Sequence, residues 1–156
     1  MQYTEEQLKE IIRNHTLWLE NNRKGFRAYL RDANLQNANL KGINFRLADL
    51  RGCNLKGVNF QGGNLVGADL SGADLTGANL SYANLMNTNF SGAILKSAKL
   101  TGCRLHYANL VKANLSASNL KDADFKSAQL IKANLTTSTR KGANFIDANL
   151  TGIIGF

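Results

Sequence analysis

The chain has 156 residues, 44% of them hydrophobic, and carries 19 Lys and Arg against 11 Asp and Glu, a formal net charge of +8. That size suits one narrow core with no room for a second domain, and no apolar run approaches the roughly 20 residues of a membrane span. Two Cys and two His, far apart in the sequence, exclude a disulfide framework or a zinc site at ordinary ligand spacing.

Residues 1–27 do not repeat and are expected to form an N-terminal α-helical cap. Thr4 followed by Gln7 is a capping-box start, and Glu5 and Glu6 suit the positive end of a helix. Leu8, Ile11, Ile12, His15 and Leu19 fall on one apolar stripe, and Asn21 and Asn22 would end the helix. A stripe of this kind lies over an exposed first coil; the sharper alternative is that the stripe and Trp18 recognise a partner. Met1 to Glu10 lacks the apolar centre of a signal peptide, so a cytoplasmic address is expected.

From Leu30 to Leu150 nearly every fifth residue is Leu or Phe, with a small residue two places earlier. Ala68-Asp69-Leu70-Ser71-Gly72 and Ala73-Asp74-Leu75-Thr76-Gly77 display the unit: small residue, Asn or Asp, Leu, polar residue, Gly. A period of five matches neither the 3.6 of a helix nor the 2 of a strand, and turn formers every few residues would break a helix. If each unit turns the chain by a quarter, residues twenty apart stack at about 4.8 Å. The centre residues and the small residues before them then face inward, and the other three positions face water.

These units resemble the pentapeptide repeat family, whose pattern is A-(D/N)-L-X-X, from about Ala28 to Gly152. The resemblance implies an all-β solenoid, a right-handed quadrilateral β-helix; at the strand spacing it has about six coils. The expected division is therefore a cap over 1–27, the β-helix over 28–152 and an apolar tail over 153–156. Absence of Pro agrees with strands paired on both edges.

Within that register Cys53 and Cys103 take small inward positions on opposite sides and different levels, too far apart for a disulfide. Arg140 takes a centre position, and a local bulge turning it to solvent is expected, with an anion-binding loop as the alternative. Ile94, Lys99 and Arg104 replace Asn or Asp in successive units as a belt, and Arg104 stands one coil from Asp124, an expected ion pair. Val66 with Met86, and Val111 with Ile131, form short apolar stripes on two faces. Something must cover the last coil: either the apolar tail folds back over it or, as the favoured expectation, Phe145, Ile153, Ile154 and Phe156 meet a second copy in a homodimer.

The repeats carry fourteen Lys and Arg against seven Asp, with no basic residue between Gly57 and Leu95. Register stacks Arg31 on Arg51, Lys112 on Lys132 and Lys121 on Lys141 as candidate basic ladders. No Ser-His-Asp set, phosphate loop or paired carboxylates in a cleft appears, so no enzyme and no cofactor is expected. The expected function is a non-catalytic scaffold or protein-interaction module with an unidentified protein partner and no membrane association. The resemblance implies, as an alternative, interaction with DNA gyrase or topoisomerase IV of the quinolone-resistance type. A charge of +8 is the wrong sign for the DNA mimicry by which those members act. Weak binding of nucleic acid or another polyanion through the ladders is the second alternative, although exposed aromatic residues are few and scattered.

Overall fold

Every fifth backbone from Asp32 to Gly152 adopts a left-handed conformation, twenty-five units in succession: fourteen are non-glycine residues such as Leu47, Tyr82 and Thr137, and eleven are glycines. Each such residue lies in a tight turn closed by the next small residue, whose N–H donates to the preceding centre carbonyl, as Ala33 does to Leu30 at 3.0 Å. The computed structural model describes residues 3–156. Between turns the chain is extended for so short a stretch that each pairing is a single parallel bridge, always twenty residues away, from Tyr29 with Asp49 to Asn134 with Ile154. The ladder alternates directions: Leu50 N–H donates to Asp69 O at 2.8 Å, while Asp69 N–H donates to Ala48 O at 3.0 Å.

This fixed register sends two side chains of every unit inward. The centres Leu50, Phe60, Leu70, Phe90 and Phe125 and the small residues Ala48, Ala73, Ala93 and Ala123 are fully buried. Polar residues at the small position satisfy themselves on carbonyls: Thr88 Oγ1 donates to Leu65 O at 2.8 Å, and Ser118 Oγ to Leu115 O at 2.6 Å. Cys53 and Cys103 are free and buried, their thiols directed at the Leu30 and Leu80 carbonyls, and burial pushes them up to about 11 and about 12. Both are therefore fully protonated thiols at neutral pH and poor nucleophiles.

The Asn or Asp before each centre is half-buried along most of the shaft rather than fully in water. Its side-chain oxygen accepts the N–H two residues on, as Asp69 does from Ser71 at 3.0 Å and Asn134 from Thr136 at 2.9 Å. Several also bond up the stack: Asn54 Nδ2 donates to Asn34 at 3.0 Å and Asn89 Nδ2 to Asp69 at 3.1 Å. The residue type follows from this, since a short side chain with an oxygen two bonds from Cβ closes an Asx turn in place.

α1 spans Glu5–Leu19, with Thr4 as N-cap in a complete capping box with Gln7. Glu20 follows, and Asn21 at φ 57° takes the left-handed step that ends the helix. Leu8, Ile11 and Ile12 pack on the first coil of the core, and His15 is fully buried. Gly25 crosses so close to the end of α1 that an added Cβ would lie 2.1 Å from Trp18 N.

Arg140 causes no bulge. The bridge of Thr139 with Asn119 and the turn closed by Ala143 N–H on Arg140 O keep the register through it. The centre is tolerated because it belongs to the last coil: the half-buried guanidinium donates to Gly155 O at 2.8 Å and lies 5.1 Å from the Phe156 ring centroid. Residues 153 and 154 continue the register two residues past Gly152, and no helix among the described residues is long and apolar enough to cross a membrane.

Candidate functional site

The three basic ladders stand in the predicted register but do not converge. Asp32 N–H donates to Arg51 O and Lys112 N–H to Ile131 O, so Arg31 and Arg51 are neighbours near the N-terminal end, and Lys112 and Lys132 near the other. Lys121 and Lys141 stack on a different side, where Lys121 Nζ lies 4.0 Å from Asp122. Arg51 is also not a free cation. It holds both oxygens of Asp49 and reaches Asp69 at 3.9 Å. That grip is the main reason the Asp49 carboxyl lies below its ordinary value. Lys56 likewise pairs with Asp74 at 3.2 Å. Much of the positive charge near the second coil is thus balanced, and the lysine ladders are left as the more open cations.

Arg104 does not pair with Asp124. Its guanidinium turns back toward Met86 Sδ at 3.6 Å, and Asp124 is taken instead by His106, Nε2 to Oδ2 at 2.6 Å, with Asn144 on the other oxygen at 3.0 Å. His106 therefore does have a carboxylate partner, eighteen residues away, which sequence spacing concealed. Burial would raise the Asp124 carboxyl, but the hydrogen bond from His106 and those from Lys126 N–H and Asn144 outweigh it and lower the value. No group of His, Cys, Asp and Glu suited to a metal ion occurs among the described residues.

Val66, Met86, Val111 and Ile131 are half-buried by their neighbours and do not form open apolar stripes. Exposed apolar side chains lie elsewhere, among them Leu47, Tyr82 and Tyr107 at unit corners, Ile94 in the belt, Phe26 and Tyr29 where α1 meets the repeats, and Ile146, Ile154 and Phe156 at the C-terminal end. Tyr82 lies flat because the next corner is Gly102, where a Cβ would meet the ring at 2.7 Å.

At the C-terminal end Phe125 and Phe145 stack at 4.8 Å, and Phe156 meets Phe145 edge-on at 5.2 Å. Ile153 packs against the core, while Ile154 is 55% and Phe156 59% exposed. The residues expected to form an apolar end are thus brought together there.

At the opposite end His15 Nδ1 accepts the Ala28 N–H at 3.0 Å, and its ring stacks on Trp18 and meets the edge of Phe45. Burial lowers its pKa; Arg27 acts in the same direction and the Arg46 backbone opposes. Next to it the chain from Arg23 to Arg31 presents Phe26 and Tyr29, which are 67% and 64% exposed. The expected division puts this stretch across the boundary between the cap over 1–27 and the repeats over 28–152, with no site on it. Its signal was present all the same, as the alternation of cations and rings in Arg23-Lys24-Gly25-Phe26-Arg27-Ala28-Tyr29-Leu30-Arg31.

A family model described as Pentapeptide repeats (8 copies) matches residues 28–65, 53–92 and 98–136. Among solved structures, the chain is similar to HetL, a pentapeptide repeat protein involved in heterocyst differentiation regulation from the cyanobacterium Nostoc sp. strain PCC 7120. That similarity is 25% identity over 83% of this chain and 79% of that one, with a TM-score of 0.48. It is also similar to Rfr23 from the cyanobacterium Cyanothece 51142, at 27% identity over 90% of each chain and a TM-score of 0.38. QnrB1, a plasmid-mediated fluoroquinolone resistance protein, is 21% identical over 78% of this chain and 67% of that one, with a TM-score of 0.42. No curated protein matches the chain.

Proposed function

This chain belongs to the pentapeptide repeat family, and on that footing we propose that it is a non-catalytic scaffold or protein-interaction module that works through its flat outer faces. The proposed architecture is a right-handed quadrilateral β-helix of about six coils over 28–152, closed by an α-helical cap over 1–27 and ending in an apolar tail over 153–156. The observation that carries this reading is the filled shaft: inward positions such as Leu70, Leu75, Leu80 and Leu85 are fully buried, so chemistry is confined to side chains standing on a rigid exterior. Such an exterior offers fixed spacing for a partner protein.

The protein acts in the cytoplasm as a homodimer joined through Phe145, Ile153, Ile154 and Phe156. Exposed apolar side chains beside the end of a ladder favour that end, because a two-fold contact buries both at once. A supercoiling assay with DNA gyrase, run beside a gel shift on duplex DNA, tests the module reading. The expected result is no effect on supercoiling and no duplex shift. Inhibition at substoichiometric protein without a shift would replace this reading with the topoisomerase-directed one. A salt-sensitive duplex shift lost on changing Lys112, Lys132, Lys121 and Lys141 to Gln would replace it with polyanion binding through the ladders.

A further inference from the structure

The stretch from Arg23 to Arg31 is held in one shape at four points. Gly25 N–H donates to Asn22 O at 2.9 Å, Phe26 N–H to Asn14 O at 3.1 Å, Ala28 N–H to His15 Nδ1 at 3.0 Å and Leu30 N–H to Asp49 O at 2.7 Å. Ala28 and Leu30 are buried by this anchoring, which sends Phe26, Tyr29 and Arg31 outward. Arg27 is fixed as well. Its Nε donates to the Leu47 carbonyl, and its guanidinium stands 5.2 Å from the Tyr29 ring centroid, so that ring is backed by a cation and remains 64% exposed. Phe26, Arg27 and Tyr29 border a shallow depression with Ile11 and Asn14 of α1.

Arg23, Lys24 and Arg31 are exposed around these rings. Of the neighbouring carboxylates, Asp49 is 4% exposed and engaged by Arg51, while four cations stand within the nine residues from Arg23 to Arg31. Exposed rings carried on an anchored backbone and interleaved with outward cations match one class of ligand: a chain with a flat π-face and a negative charge at every step. We propose that this junction binds single-stranded nucleic acid, with bases stacking on Phe26 and Tyr29 and phosphates meeting Arg23, Lys24 and Arg31. A duplex hides the faces of its bases, and an acidic peptide uses the cations but not the rings. The site lies apart from the lysine ladders and the C-terminal end, and does not depend on the protein-partner reading.

Fluorescence anisotropy of the full chain with a labelled oligothymidylate of about twelve nucleotides tests this, beside a duplex of equal length and a polyglutamate peptide. The oligothymidylate is expected to bind more tightly than either comparison ligand and to weaken with added salt. Phe26→Ala and Tyr29→Ala are each expected to lose about tenfold in affinity, Tyr29→Phe to retain it, and Lys112→Gln with Lys132→Gln to leave it unchanged. Both ring positions are exposed, and an unaltered thermal midpoint verifies that the variants fold. Absence of single-strand binding by the unaltered protein, undiminished affinity in both alanine variants, or equal binding of the duplex or polyglutamate would overturn the proposal.

Discussion

The left-handed corner is where single residues act most directly on stability. An L-residue in that conformation costs about 1–2 kcal/mol, of which glycine avoids the steric part while losing about 0.5–1 kcal/mol in unfolded-state freedom. Thr137, β-branched at φ 57°, is among the least suited of the fourteen. Thr137→Gly is therefore expected to raise stability by about 1 kcal/mol, seen as a higher denaturation midpoint. Gly72→Ala, where a Cβ meets nothing within 4 Å, is expected to cost about the same with no clash contributing. His15 adds a pH dependence. Its folded pKa lies below the ordinary value of 6.5 because burial disfavours the charged ring. The unfolded chain thus binds the proton first, and stability falls as pH drops below about 6.5 toward the lower folded value. His15→Gln is expected to flatten that slope in thermal melts between pH 7 and pH 5.

At the scale of the element, α1 depends on its cap and its stripe. Thr4→Ala removes the hydroxyl that accepts Gln7 N–H at 3.2 Å and is expected to cost about 1 kcal/mol, read as faster hydrogen exchange across α1. The capping box, the stripe and the stop at Asn21 were all legible in the sequence, because each depends on residues within a turn or two of one another. The repeat was legible for the same reason, since a unit of five declares its own inward positions. Pairings between coils were less so. Asp124 stands in line with Arg104, yet His106 reaches it from eighteen residues away and Arg104 turns to Met86. Register places backbones, and side-chain length and rotamer then choose among several neighbours. Arg140 misled in another way: a buried cation would need a bulge, but the end of a shaft is not its interior.

Taken whole, the molecule has carboxylates tied into its walls. Asp49, Asp74 and Asp124 all lie below their ordinary value, Asp49 chiefly through Arg51, Asp74 through Thr76 and Lys56 against an opposing burial, Asp124 through His106 against the same opposition. Groups with depressed pKa stabilise the fold above the unfolded value near 3.8 and lose that contribution as pH falls through the folded value. Acid unfolding is accordingly expected below about pH 4, at a midpoint raised in Asp49→Asn, which abolishes one such group while weakening the fold at neutral pH. For the proposed dimer, Phe156→Asp is expected to convert a sedimenting dimer into a monomer with an unchanged melting profile of the coils; a monomeric parent protein would remove the dimer from the picture.

The two ends of the described ladder differ: Leu8, Ile11 and Ile12 of α1 pack against the core at one, and the bridge of Asn134 with Ile154 is the last at the other. A stack of coils with both ends bare could add copies indefinitely, as cross-β fibres do. In the proposed architecture, where α1 caps one end and a second copy meets the other, the molecule would have an associative valence of one, and the two-fold contact would consume its capacity to grow. On that proposal, assembly would be self-terminating by geometry, and deletion of α1 would turn a chain terminator into a monomer of a polymer.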